Sequence, residues 1–367
     1  MLKYLVHYSD WFGPFRIFDS ITFRSALALI IAYVFTVAIG RVMIRALQHF
    51  RVREDVKKPD SETLERLHSA KKDTPTMGGI IIIFAILTAC IFCADPRSPY
   101  VTLAIFALLS FGFLGMVDDV VKLRGIGRHQ GLSPRQKLLG QSVLALVCGM
   151  ALIQMGDQEH VTRVLIPGMK MSEFYPDLRL LYLPFFMLVV VSSSNAVNFT
   201  DGLDGLAAGC SMMVAITFTA IVYIAGHAGF ADYLRVPSVS QCGELTVFCA
   251  AMVGATMGFL WYNANPAQVF MGDTGSLALG ASIGVVAAAV KQEFVLVIAG
   301  GIFVAEALSV ILQRFTYRNF NKRRLFRCAP LHHHFQFGGS HENHIVVRFW
   351  CIGIVLATLG LASLKLH

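Results

Sequence analysis

Charge is what this sequence has least of. Asp, Glu, Lys and Arg make up 15% of its 367 residues, where a soluble domain carries nearer a quarter. Hydrophobic residues make up 55%, with 28 Phe, and the mean hydropathy is +0.61. That balance excludes a disordered chain and an ordinary cytosolic enzyme. The eight cysteines do not suggest a disulfide scaffold, since most lie inside or beside apolar runs, and the one C-x-x-C, Cys90 to Cys93, lacks a thioredoxin-like setting and reads as packing. No repeat of fixed period and no low-complexity tract is visible. The first twenty residues lack the continuous apolar stretch and A-x-A site of a cleavable signal peptide.

What is there instead is a series of apolar runs of roughly 17 to 25 residues with short polar gaps, the pattern of an all-α, polytopic integral membrane protein. Hydropathy predicts about ten transmembrane helices: Thr22–Leu47, Met77–Ala94, Tyr100–Val121, Leu138–Met155, Leu180–Ser194, Leu206–Ala225, Leu245–Tyr262, Phe270–Val290, Phe294–Leu312 and Ile345–Leu364. The fifth is short and carries Pro184. One membrane domain spanning residues 1–367 is the economical reading.

The net charge of +8 invites a nucleic-acid reading, but its placement argues otherwise. Three stretches, Arg41–Thr76, Lys122–Lys137 and Arg314–Arg348, hold 21 of the 31 basic residues. All three follow odd-numbered predicted helices and so share one side. The positive-inside rule makes that side cytoplasmic, and an even number of helices then puts both termini in the periplasm. Such bases also favour anionic membrane lipid or an anionic substrate. Trp11–Arg16 reads as an interfacial aromatic belt, and the outer loop Gly156–Arg179 offers a small hairpin around Pro167-Gly168.

Acids near membrane depth are costly and mark function by default. Asp118 and Asp119 end the third predicted helix; Asn195, Asn198, Asp201 and Asp204 fall between the fifth and sixth; Asn263, Phe270 and Asp273 lie between the seventh and eighth. Lys71 and Thr76 follow the first helix, and His332, His333 and His334 follow the ninth, so every group follows an odd helix. One cytoplasmic site is predicted.

Adjacent carboxylates such as Asp118 and Asp119 repel unless a cation is present, although Asp118 with Lys122 also makes an i, i+4 ion pair. Mg²⁺ suits hard oxygen ligands shared with substrate phosphates, and Asp273 between Gly272 and Gly275 could add a ligand or simply cap the eighth helix. Asp201 and Asp204, with Asn195 and Asn198, orient substrate or cap the sixth helix. Na⁺ or Ca²⁺ would leave the basic and His residues unexplained. Zinc on the three histidines, with Cys328, His341 and His344 nearby, would need an unusual backbone, because consecutive side chains diverge. Glu306, in mid-span, reads as a buried acid bonded to a neighbour, or as a functional group.

Together Lys71–Gly79 (KKDTPTMGG), Val117–Lys122 (VDDVVK), Asn195–Ala207 (NAVNFTDGLDGLA), Pro266–Gly280 (PAQVFMGDTGSLALG) and Ala329–Phe335 (APLHHHF) resemble the phospho-N-acetylmuramoyl-pentapeptide transferase family, within the polyprenyl-phosphate N-acetylhexosamine-1-phosphate transferase superfamily. The resemblance covers the whole chain. One departure is Gln336, where the family usually has Glu. The resemblance implies a ten-helix homodimer in the bacterial inner membrane with its site on the cytoplasmic face. It implies Mg²⁺-dependent transfer of phospho-MurNAc-pentapeptide from UDP-MurNAc-pentapeptide to undecaprenyl phosphate, giving lipid I and UMP.

On that reading Asp119 and Asp273 hold Mg²⁺, with Asp118 as base or further ligand, and a covalent route in which Asp118 attacks the diphosphate first stands beside direct attack by the lipid phosphate. Lys71, Lys122 and Lys137 screen phosphates, and His332 and His333 contact substrate phosphate or sugar. Phe270 stacks on uracil or simply packs in the membrane. By resemblance Lys71, Thr76, Asn198, Asp201, Asp204 and Asn263 line the nucleotide pocket. A sibling transferase using UDP-GlcNAc predicts the same Mg²⁺ dependence, while a secondary transporter would need mid-membrane charges and an internal repeat.

Overall fold

The computed structural model describes residues 1–10, 13–49, 74–125, 131–155, 161–167 and 176–365. Its helices are α1 (Ile21–His49), α2 (Gly79–Cys93), α3 (Pro99–Leu123), α4 (Pro134–Met155), α5 (Tyr182–Thr200), α6 (Leu206–Ala225), α7 (Ala228–Leu234), α8 (Leu245–Asn263), α9 (Gly272–Ala289), α10 (Glu293–Ala299), α11 (Gly301–Asn319), α12 (Leu331–Gln336) and α13 (Glu342–Ser363). Among the described residues eight helices are long and apolar enough to cross a membrane, and α10 with α11 makes a ninth, broken span. The chain is thus a polytopic helical membrane protein.

All ten apolar runs are helical, with three instructive differences. The second run starts its helix at Gly79, two residues later than predicted, because Pro75–Met77 runs beside Phe270: the Phe270 N–H donates to Pro75, and the Gly78 and Gly79 N–H groups donate back to Phe270 and Met271. The resulting 15-residue α2 spans about 22 Å, short of a bilayer core of about 30 Å. The fifth helix runs on to Thr200, so Asn195 and Asn198 are helical rather than in a loop. Pro184 is tolerated because it lies in the first turn, where its missing N–H costs nothing. The ninth run bends by 84° between α10 and α11, at Gly300-Gly301, a pair with the lowest non-proline helix preference.

At the centre stands α9, buried at every position from Asp273 to Ala289. A helix apolar all round belongs in the core, and its glycines, alanines and serines let α3, α5 and α2 approach closely. Ser193 and Ser194 of α5 donate to the Gly280 and Leu277 carbonyls at 2.7 and 3.2 Å. Around this core α8 packs on α1, α2 and α6, and α13 covers α6 and α10. Cys90 and Cys93 lie buried in α2, and all eight cysteines are free thiols. Of the expected outer hairpin, the described part is one antiparallel bridge between Arg163 and Asp177; residues 168–175 lie outside the described residues.

At the end of the bundle holding the N-terminus, Arg24 of α1 is buried and donates both guanidinium arms to Glu244 at 2.6 and 2.7 Å, and a third bond to the Cys93 carbonyl at 3.0 Å. Lys3 bridges Glu244 and Asp95 at 3.2 and 2.7 Å. Partial burial works against the Asp95 charge, but Lys3 and the Arg97 N–H outweigh it and hold the carboxyl below its ordinary range. The stability Asp95 contributes is therefore complete at neutral pH and lost as pH falls through the carboxylate range.

Removing one partner of such a pair strands the other. Arg24→Gln is expected to cost about 3 kcal/mol of stability or more, read by thermal unfolding in detergent. The double variant Arg24→Met, Glu244→Met is expected to recover most of it.

Candidate active site

The site is built where the C-terminal end of α3 meets the N-terminal end of α9. Glycines make the meeting possible: a Cβ on Gly115 of α3 would collide with the Asp273 carbonyl, and one on Gly79 with the backbone of Gly275. Three and four residues beyond Gly115, one helical turn on, Asp118 and Asp119 are delivered against the start of α9, both 3% exposed. Gly272, at φ +72°, turns the chain into α9 in a backbone region that L side chains rarely adopt. It is also wedged: a Cβ there would lie 2.9 Å from Asp119 Oδ2 and 3.0 Å from the Thr76 hydroxyl.

Asp119 caps α9 from a neighbouring helix. Its carboxylate accepts from the Asp273 and Thr274 N–H groups at 3.1 and 3.0 Å and from the Thr274 hydroxyl at 2.7 Å, satisfying donors that a helix start leaves open. Asp273 therefore does not cap its own helix; its side chain is free for other partners. Asn198 of α5 donates to Asp273 Oδ1 at 2.8 Å and to the Ser276 hydroxyl at 2.8 Å.

Two lysines close the cluster. Lys122 Nζ lies 3.0 Å from Asp273, 3.2 Å from Asp118 and 3.9 Å from Asp119. Lys137, at the start of α4, donates to Asp273 and lies 3.3 Å from Asp118. The Leu132 N–H donates to Asp118 Oδ1 at 2.7 Å, pinning the α3–α4 connection. Three carboxylates against two ammoniums leave one negative charge in excess. Among the described residues no group of three metal-type donors stands ready-made; Asp118 and Asp273 face the lysines and Asp119 is bonded to the start of α9. Yet their oxygens converge on a cationic nitrogen, and this all-oxygen donor set fits a hard cation such as Mg²⁺.

The remaining predicted residues lie in adjoining loops and helix ends. Thr76 is buried beside Gly272. Asp204 Oδ2 accepts from the Asn265 side chain and the Ala267 N–H at 3.0 and 3.1 Å. Asn263 is buried, accepting from Gly205 N–H at 3.1 Å and donating to the Val269 carbonyl at 2.9 Å. These two stitch the α5–α6 and α8–α9 loops together. Asn195 pairs with Gln141 of α4, donating at 2.7 Å. Asp201 ends α5, and Phe270 is half-buried.

His332 is fully buried, its ring Nδ1 3.2 Å from Glu306 and its N–H donating to the same carboxylate at 3.1 Å. A Cβ on Gly202 would strike its Nε2. His333 is the more accessible of the pair and bonds Gln336 at 2.7 Å. Lys71 lies outside the described residues. Hydrogen bonds and packing thus join the loops after the first, third, fifth, seventh and ninth apolar runs.

Sequence reasoning missed Thr274, Gln141 and Glu342, whose carboxylate accepts from the Asp204 N–H at 2.9 Å. Gln141 had a signal: it is a polar residue inside an apolar run, one turn after Lys137. Thr274 and Glu342 act on the backbone or side chain of distant residues, which no local pattern shows.

A buried carboxylate–lysine cluster where transmembrane helices meet fits a membrane-embedded transferase, and the comparisons with known proteins give that class. Residues 100–291 match the model for glycosyl transferase family 4, and residues 71–83 match signature 1 of phospho-N-acetylmuramoyl-pentapeptide-transferase. The chain is 45% identical over 365 residues to the phospho-N-acetylmuramoyl-pentapeptide-transferase of Maridesulfovibrio salexigens, covering 99% of each chain. It is 46% identical over 360 residues to that of Solidesulfovibrio magneticus, covering 97% of each, and 44% identical over 369 residues to that of Methylacidiphilum infernorum, covering 100% of each. The chain belongs to the phospho-N-acetylmuramoyl-pentapeptide-transferase family.

Gly272→Ala forces a Cβ against Asp119. It is expected to lower turnover about 100-fold or more, since small misplacements at a reacting centre cost that much, and to lower the thermal unfolding temperature in detergent as well, since the left-handed backbone strains an L side chain by about 1–3 kcal/mol. Near-normal turnover would show that the Asp119–Asp273 spacing does not matter.

Proposed function

We propose that this chain transfers phospho-MurNAc-pentapeptide from UDP-MurNAc-pentapeptide to undecaprenyl phosphate, giving lipid I and UMP, the first membrane step of peptidoglycan synthesis. The observation that carries this reading is the convergence of Asp118, Asp119 and Asp273 on Lys122 and Lys137, in a chain of this family. We place the whole chain, as one transferase domain and a homodimer, in the bacterial inner membrane. The basic stretches support a topology with both termini in the periplasm and the site on the cytoplasmic face.

An oxygen of the lipid phosphate attacks the phosphorus that bears the sugar, a new P–O bond forms, and the bond between the two UDP phosphates breaks to release UMP. A phosphate monoester has its second pKa near 6, so the attacking group is already mostly a dianion at neutral pH. The obstacle is bringing that anion against an anionic diphosphate, and phosphoryl transfer is accelerated mainly by positioning and charge neutralisation. Lys122 and Lys137 screen the approaching phosphates once these compete for them with the carboxylates. Asp119 and Asp273 would hold Mg²⁺, which supplies charge neutralisation to the phosphates. Asp118, already anchored by the Leu132 N–H, keeps the lysines in place and can take the proton of the minor monoanion.

Around this centre His333, Thr76, Asp201 and Phe270 border the space for the nucleotide sugar. Asn198 holds Asp273 in line, Asp204 and Asn263 shape the loops through their own bonds, and Asn195 ties α5 to α4. Lys71 joins the phosphate-screening set.

Purified protein in detergent with undecaprenyl phosphate and Mg²⁺ is expected to release UMP from UDP-MurNAc-pentapeptide and not from UDP-GlcNAc. Chelation should abolish release, and Asp118→Asn, Asp119→Asn and Asp273→Asn should each lower turnover by about 10³-fold or more with the fold intact. Release from UDP-GlcNAc alone would assign the chain to a sibling transferase.

A further inference from the structure

The two oxygens of Asp273 are held by different helices. Asn198 of α5 donates to Oδ1 at 2.8 Å, while Lys137 of α4 donates to Oδ2, with Lys122 of α3 lying 3.0 Å from the same oxygen. The plane of that carboxylate therefore depends on how α4 and α5 stand relative to each other. One turn deeper into the bundle the same two helices are joined again. Gln141, four residues after Lys137 and on its face of α4, is 1% exposed. Asn195, three residues before Asn198 on α5, donates to the Gln141 side-chain oxygen at 2.7 Å, and the Gln141 amide donates back at 3.4 Å. Asn195 is itself anchored to its own helix, donating to the Val191 carbonyl at 2.8 Å.

Further along this contact the surfaces are apolar, with Gly149 of α4 against Leu183 and Phe186 of α5. Apolar helix faces tolerate sliding and rotation, whereas a buried pair of amides is satisfied at one register. We propose that Gln141 is a positioning residue for the transfer reaction: its amide pair with Asn195 fixes the separation of α4 and α5, and with it the reach of Lys137 and Asn198 to the two oxygens of Asp273. This rests on the transferase reading above. Asn195 then acts on the protein, one turn behind the site, and not on substrate. A tilt of the Asp273 carboxylate slows the reacting centre without altering how the nucleotide is held, because the loops around the nucleotide are joined by other bonds, among Asp204, Asn265, Asn263 and Gly205.

A first experiment needs neither substrate nor metal. Acetylation by acetic anhydride, mapped by peptide mass spectrometry, reads how firmly each lysine ammonium is held. In Gln141→Leu, which keeps the side chain's bulk and removes its amide, Lys137 is expected to label severalfold faster than in the unmodified protein. Lys3, paired with Asp95 and Glu244, and Lys365, bonded to the Tyr233 carbonyl, should be unmoved. An unchanged Lys137 rate would overturn the proposal. So would a rise shared by all three lysines, which marks general loosening of the fold.

In turnover assays, Gln141→Leu should lower kcat about tenfold or more with KM for the nucleotide donor little changed. Gln141→Asn, one methylene too short, should share the loss, and adding Asn195→Gln, which restores the summed length of the pair, should recover most of it. A double variant no better than Gln141→Asn alone would overturn the proposal equally. Absence of UMP release by the unmodified protein would fail the transferase reading alone, since the labelling result stands by itself.

Discussion

Three carboxylates share one buried end of this helix bundle, and they can do so because two lysine ammoniums lie among them. Asp118 and Asp119 are 3% exposed and Asp273 is 9% exposed, so each charge has lost most of its water and cannot be left unpaired. Lys122, one turn from Asp118 on the same helix, and Lys137, from the next, supply the compensation. The rest of the architecture serves that proximity. Glycines on α2, α3 and α9 let backbones touch, and Asp119 ties α3 to the start of α9 by three hydrogen bonds.

The two ends of the bundle use buried charge differently. At the N-terminal end Arg24 meets Glu244 through two hydrogen bonds, and excess charge is met by Lys3. Near α10, Lys291 is bonded to the Tyr182 hydroxyl and the Val161 carbonyl, and Tyr182 donates in turn to Glu293. These networks are balanced and fasten loops to helices. The cluster around Asp273 is unbalanced by one negative charge, and among the described residues polar loops from several parts of the chain lie beside it. An unbalanced, partly accessible set of hard donors is what a metal ion and two phosphate-bearing substrates can enter.

Much of this was legible in the sequence because membrane burial is written in composition. Ten apolar runs are found as helices, and three of the acids that hydropathy could not excuse, Asp118, Asp119 and Asp273, meet in space. Helix ends were less legible. Asn195 and Asn198 look like loop residues until their side chains find Gln141, Asp273 and Ser276, and the break at Gly300-Gly301 lies inside an unbroken apolar run. Roles also shifted with distance. Asp273 was read as a cap or a ligand, whereas the cap is Asp119, 154 residues away in sequence. His332 and His333 look equivalent in a run of three, yet only the fold shows that one faces Glu306 in the interior and the other Gln336 at the edge.

The central claim is that a divalent cation enters this cluster on the oxygens now facing lysine. Mn²⁺ binding followed by electron paramagnetic resonance, without substrates, tests it most directly. The account predicts one tight site in the unmodified protein, lost in Asp119→Asn and in Asp273→Asn, and strengthened in Lys122→Met because a competing ammonium is gone. Equal Mn²⁺ binding in the unmodified protein and both carboxylate variants would contradict it.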